Sequence, residues 1–204
     1  MPPHIEAQTV SSYCITGLRT TTIIADAISQ GRISAGIAGG VEWLSGSDPS
    51  TFNEPSTGLS MGQHAEITRK EWGISRARQD EIALASHRNA VAARERLARE
   101  ILPFDGVTGD TGPRPDTSLE RLAMLSPAFA ADGTITAGNS SPVTDGASAV
   151  LLMSEKRARQ EGRAPLAFIE ALEYAAFHPS EGLLMAPCRW PKFAQRVTRM
   201  ALQA

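Results

Sequence analysis

The chain has 204 residues, enough for one sizeable core or two small ones. Its 20 Lys and Arg balance 22 Asp and Glu, and the net charge of −2 shows no bias toward nucleic acid or an acidic substrate. No apolar run approaches bilayer-crossing length, and two cysteines, Cys14 and Cys188, are too few for a disulfide framework, so the expected setting is reducing and cytoplasmic.

Met1 to Glu6 has neither the charged start nor the hydrophobic core of a signal peptide. Ala7 to Ser12 reads as a short extended run before a sharp turn. From Ile15 to Ile28 apolar residues recur at helical spacing (Ile15, Leu18, Thr22, Ala25, Ile28, with Ile24 and Ala27 alongside), and Gly31 stands where a helix C-terminus favours glycine. Ile33 to Val41 is small and apolar, as in a strand buried on both faces. Strand, helix and strand make a βαβ unit, which predicts a parallel sheet and an α/β fold class.

Turn residues fill Trp43 to Leu59. A short helix is predicted from Met61 to about Trp72, closed by Gly73, and Ser75 caps a longer one reaching about Arg99. Its arginines, Arg88, Arg94, Arg96 and Arg99, read as a solvated face. Pro103 to Asp116 is a connecting loop, Ser118 to Leu125 a short helix, and Ala130 to Asp145 mostly loop. Ala147 to Met153 is apolar, and its pattern fits a buried strand or a helix equally. A polar helix from Glu155 to Gln160 ends at Gly162; Pro165 to Tyr174 reads as a strand and Pro187 to Leu202 as a helix.

Cys14 occupies the place where a βαβ unit puts chemistry, at a strand end and the first turn of a helix. Unpaired N–H groups and the positive end of the helix dipole favour a thiolate there. Gly17 nearby lets a substrate or another backbone approach. The competing reading is a buried, inert thiol, the commoner fate of a free cysteine. His4, His64, His87 and His178 read as surface or structural residues, and Cys188 as a small core residue.

Four segments together resemble the thiolases. They are Ser12-Tyr-Cys14-Ile-Thr16-Gly17-Leu18 followed by Ile37-Ala-Gly39-Gly40-Val-Glu42; Met61-Gly-Gln-His-Ala-Glu66; Ile74-Ser-Arg-Ala-Arg-Gln-Asp80 with Ser86-His87; and Gly133-Thr-Ile-Thr-Ala137-Gly-Asn139-Ser-Ser141-Pro-Val143-Thr-Asp145-Gly146. The resemblance covers nearly the whole chain. It implies a partial N-terminal thiolase domain at residues 1–42 and a loop domain over coenzyme A at 43–136. A return to the first domain follows at 137–163, and the start of the second half at 164–204. Two strand–helix units that precede the Cys14 strand in thiolases have no counterpart, so a truncated chain is expected.

The activity implied is acyl transfer between coenzyme A and an acyl-CoA, with Cys14 carrying the acyl group and its N–H serving an oxyanion hole. For coenzyme A, the resemblance implies Arg114 at the nucleotide end, Met61 and Phe129 as apolar walls, Ala137, Ser141 and Val143 along the pantetheine arm, and Met185 as a further wall. Asn139, Asp145 and Gly146 are assigned to the turn itself. The family's Asn/His-Glu-Ala-Phe, Gly-His-Pro and Cys-x-Gly segments do not occur in this sequence, so the base, the acid/base cysteine and one oxyanion hole have no counterpart. No metal or cofactor is implied beyond coenzyme A as substrate. The expected partners are acyl-CoA and a second copy of the chain, through the strand before Cys14, with no nucleic acid and no membrane. An uncovered sheet face and an unpaired edge make poor solubility an equal expectation. The alternatives are a non-catalytic acyl-CoA-binding or subunit-interaction protein, a ketoacyl synthase, which lacks the Thr-Ala-Gly-Asn-Ser-Ser loop, and a Cys/His hydrolase, which has no signature around Cys14.

Overall fold

The computed structural model describes residues 4–186. A 3₁₀ turn at Tyr13–Ile15 leads into α1 (Thr16–Ser29) and β1 (Ala35–Glu42). Then come α2 (Met61–Glu71), α3 (Arg76–Ala92), α4 (Arg94–Leu97), α5 (Leu119–Ala123), β2 (Gly146–Met153) and α6 (Glu155–Gln160). Two compact units result, one of residues 4–47 with 144–174, the other of 48–143 with 175–186.

In the first unit α1 stops in a Schellman motif. Gly31 takes φ +69, and the N–H groups of Gly31 and Arg32 cap the carbonyls of Ile28 and Ala27. The chain then returns as β1, which pairs with β2 along its length, Ala35 opposite Met153 through Glu42 opposite Gly146. The pairing is antiparallel, and these are the two strands of the sheet among the described residues. The parallel pairing expected of the βαβ unit is thus not the pairing seen among the described residues, while the mixed helix-and-strand class is as expected. Among the described residues Ala7 to Ser12 has no strand partner, and neither does Pro165 to Tyr174. An extended run becomes a strand only when its backbone donors and acceptors meet another strand, and local sequence cannot report that.

Helix α1 covers one face of the sheet through small residues. The Thr20 hydroxyl donates to the carbonyls of Gly17 (3.0 Å) and Gly39 (2.8 Å). A Cβ on Gly36 would meet the Ile24 side chain, and one on Gly40 would touch Gly17 backbone. The seam holds Gly17, Thr20 and Ile24; of the apolar pattern Ile15, Leu18, Thr22, Ala25 and Ile28 with Ile24 and Ala27 alongside, Ile24 faces the sheet and Thr22 is buried, whereas Ile15 and Leu18 are not. Leu18 is 71% exposed. Glycines let helix and strand backbones close on each other, so the contact falls where the side chains are smallest. The second sheet face, carrying Ile37, Val41 and Leu151, is exposed, which corrects the expectation of a strand buried on both sides. Arg19 stacks on the Tyr174 ring at 4.4 Å, tying the 165–174 segment to α1.

The second unit follows the sequence reading closely. Ser60 and Gln63 form a capping box on α2, and Gly73 (φ +62) ends it in a second Schellman motif. Ser75 caps α3, which breaks at Ala93 before the short α4 instead of running unbroken to Arg99. Leu84 of α3 and Leu122 of α5 are buried in its core, as is His64, whose Nε2 lies 2.9 Å from the Thr57 hydroxyl. The helix expected at 187–202, and Cys188 within it, lie outside the described residues.

Candidate functional site

Cys14 sits in the 3₁₀ turn two residues ahead of α1, and it is exposed. Thr16 holds that turn: its hydroxyl accepts the Ser12 N–H (2.9 Å) and donates to the Tyr13 carbonyl (2.7 Å). Tyr13 takes φ +48, a left-handed conformation rarely adopted by a non-glycine residue, immediately before the cysteine. The turn forms one wall of an open cleft of ≈ 410 Å³, with Gly17 at the base, Gly40 to Glu42 from the end of β1, and Thr144 to Ser148 from the start of β2. The sulfur is thus not walled in. Gly17 backbone lies close to Gly40, whose lack of a Cβ leaves room for it, and Gly17 lines the cleft as well.

Two carboxylates line this cleft, Glu42 and Asp145. Asp145 does more than shape a turn. It accepts the N–H (2.8 Å) and hydroxyl (2.5 Å) of Ser45, clamping the segments that follow β1 and precede β2. Those bonds from Ser45 hold the Asp145 carboxyl below the usual carboxylate range. Chemically, the arrangement offers a reachable sulfur, an open cleft with three glycines in its lining, and one carboxylate that favours its charged form.

The residues expected to hold coenzyme A lie in the second unit. The Phe129 ring rests on the α2 backbone at Gly62, beside Met61, and both side chains remain partly exposed. Arg114 is exposed, and its backbone N–H donates to His87 Nδ1 (3.2 Å), which gives His87 a structural role. Ala137, Ser141 and Val143 are exposed along one loop. Met185 departs from the expectation of a tunnel wall: it is buried under the turn at Gly182.

That loop is held by groups the sequence reading did not single out. Glu66 of α2 accepts the N–H groups of Thr134 (2.8 Å) and Ile135 (2.7 Å). Asp80 of α3 accepts from Asn139 Nδ2 (3.0 Å), and Gln79 donates to the Thr134 hydroxyl (2.9 Å). Asn139 closes its own turn as expected, accepting the Thr136 N–H at 2.8 Å. Both acids stand within the quoted motifs, and a carboxylate on a helix face that also bears apolar residues is the one signal that could have marked them.

The comparisons bear on the whole arrangement. Residues 47–156 match the family described as "Thiolase, N-terminal domain". The 3-ketoacyl-CoA thiolase of Pseudoalteromonas atlantica is 36% identical over 92% of this chain and 54% of its own length. The chain belongs to the thiolase family. The 3-ketoacyl-CoA thiolase of Shewanella piezotolerans is 34% identical over 97% of the chain and 56% of its own length. Among solved thiolase structures, the Bacillus anthracis acetyl-CoA acetyltransferase superposes with a TM-score of 0.67 at 32% identity, over 75% of this chain and 47% of that one. The human mitochondrial 3-ketoacyl-CoA thiolase, solved in complex with CoA, gives 0.69 at 29% identity over 75% and 46%. This thiolase chain spans about half the length of the curated relatives it matches.

Proposed function

We propose that the chain supplies the acyl-accepting cysteine of a thiolase-type acyltransferase. In this reading the Cys14 thiolate adds to the carbonyl carbon of an acyl-CoA. The tetrahedral oxyanion collapses, the carbon–sulfur bond to coenzyme A breaks, and coenzyme A leaves as a thiolate that takes up a proton. The acyl group remains on Cys14 Sγ until a second acyl-CoA, deprotonated at its α-carbon, or coenzyme A accepts it. The observation that carries the reading is the exposed Cys14 just ahead of α1, in an open cleft whose lining includes Gly17, Gly40 and Gly146.

Met61, Arg114, Phe129, Ala137, Ser141 and Val143 are proposed to bind coenzyme A. An arginine suits phosphate or adenine, a phenylalanine and a methionine suit the pantetheine chain, and small exposed residues admit a thin arm. Coenzyme A enters as substrate. We place the protein in the cytoplasm, as a homo-oligomer; among the described residues no helix is long and apolar enough to cross a membrane.

Incubation with acetyl-CoA followed by peptide mass spectrometry tests this reading. The expected result is an acetyl group on Cys14 that is absent from Cys14→Ser; an unmodified Cys14 overturns it. A second reading, coenzyme A binding without turnover, has its own support: the cleft lining carries two carboxylates and, among the described residues, no basic side chain to help ionise the thiol. Coenzyme A binding with no label on Cys14 would favour it.

A further inference from the structure

The loop proposed to run along coenzyme A has little regular structure of its own, yet its backbone is heavily tied. Two buried acids do the tying, one from each of two successive helices. Glu66 is 6% exposed and Asp80 is 3% exposed. Each is paired with an arginine one turn away on its own helix. Arg69 Nε donates to Glu66 (2.7 Å) and Arg76 Nε to Asp80 (2.8 Å). The arginines then reach neighbouring backbone, Arg69 the carbonyl of Asp132 (3.0 Å) and Arg76 the carbonyl of Leu122.

The acids' remaining lone pairs converge on one short segment. Glu66 Oε1 takes the N–H groups of Thr134 and Ile135 together. Asp80 takes the Asn139 amide, which also donates to the Thr134 carbonyl (3.1 Å). Asn139 Oδ1 and the Ser140 hydroxyl then close on Thr136, which is fully buried. Gly133 is what lets Glu66 in, because a Cβ there would collide with the carboxylate. A surface loop tied only to itself would not need two buried charges, each costly to bury and so tolerated only with its partners in place.

We propose that Glu66 and Asp80 are positioning residues for coenzyme A binding, holding the 134–140 segment so that Ala137 and the following Ser141 and Val143 present one fixed edge to the pantetheine arm. This rests on the proposed coenzyme A reading of that loop. The acids act through the loop backbone, and their effect is on affinity. A loop released from its anchors must be ordered by the ligand at the moment of binding, which weakens the complex without removing any ligand contact.

The test measures coenzyme A affinity by titration calorimetry on the full chain, as wild type, Glu66→Gln, Asp80→Asn and Leu84→Ala. Glu66→Gln and Asp80→Asn keep side-chain shape, and each is expected to raise Kd about tenfold, which corresponds to ~1.4 kcal/mol. Amide exchange at Thr134 and Ile135 is expected to quicken in Glu66→Gln. Leu84→Ala removes core packing while leaving both acids and their bonds to the loop in place, and is expected to lower the melting temperature while Kd stays within about twofold of wild type. Wild-type affinity in both acid variants overturns the positioning role and leaves the coenzyme A reading standing. An equal loss in Leu84→Ala overturns it too, since the effect would then be general destabilisation. A wild-type chain that binds no coenzyme A overturns both.

Discussion

A Cβ placed on Gly39 would stand 2.6 Å from the carbonyl oxygen of Ser148 across the β1–β2 ladder. That oxygen belongs to backbone, so it cannot swing aside as a flexible side chain would. Ser148 also lines the Cys14 cleft, and the neighbouring Gly40 forms its floor with Gly17. Gly39→Ala is therefore expected to push the strands apart locally at a cost of ~1–3 kcal/mol. Thermal unfolding should show the loss, and the rate of Cys14 alkylation by iodoacetamide should change with it. Gly17→Ala is the contrasting case. Nothing lies within 4 Å of a Cβ there, and the position is helical, so stability should rise by ~0.5–1 kcal/mol. A fall in stability for Gly17→Ala would show that the helix packs differently.

The turn that presents Cys14 is strained at one residue. Tyr13 adopts φ +48 and is 74% exposed as a residue, so its own packing does not explain the conformation. The neighbouring bonds through Thr16 over-determine it instead. Tyr13→Val, which adds β-branching where φ is positive, is expected to cost ~1–3 kcal/mol and to slow Cys14 acetylation. Tyr13→Gly relieves the strain and should leave acetylation near wild type. Equal acetylation rates in the two variants would count against a geometric role for the turn.

Helix boundaries were legible because their determinants are local. Ser60, Ser75, Ser118 and Ser154 each accept an N–H from the first turn of the helix they cap, and Gly31, Gly73 and Gly162 each take positive φ just past a helix end. Pairing was not legible. The 147–153 run fits a strand or a helix alone, and only the partner at residues 35–41 decides that it is a strand, and an antiparallel one. The site divides the same way. Cys14 was found from its place before a helix, a local fact. Glu66 was missed because its two backbone donors lie 68 and 69 residues further along the chain, at Thr134 and Ile135.

Glu66 also predicts an acid dependence. Burial disfavours its charge, but the N–H groups of Ile135 and Thr134 and the Arg69 guanidinium outweigh burial, so its pKa lies below the ordinary 4.5. A carboxyl depressed in the folded state contributes stability that is present above 4.5 and lost as pH falls through the lower folded value. Urea midpoints should therefore decline from about pH 4.5 downward, by an amount that Glu66→Gln removes. Parallel acid profiles in wild type and Glu66→Gln would show that other carboxyls dominate.

The uncovered sheet face makes a prediction about association. Ile37 and Leu151 are opposite each other in the β1–β2 register, so their side chains project from the same face, and they are 58% and 57% exposed. Val41, on that face too, is 79% exposed. Helix α1 occupies the other face, and among the described residues no helix covers these side chains. Large aliphatic side chains gain ~1.5–3 kcal/mol each when fully buried, enough to favour pairing of two such faces over leaving them in water. The purified chain is expected to elute larger than a monomer on sizing with light scattering. Ile37→Lys combined with Leu151→Lys should shift it toward monomer with little loss of melting temperature, because both positions are exposed before association. An unchanged elution volume in that double variant would place the contact elsewhere, with the Ala7 to Ser12 segment, which pairs with no strand among the described residues, the next to be tested.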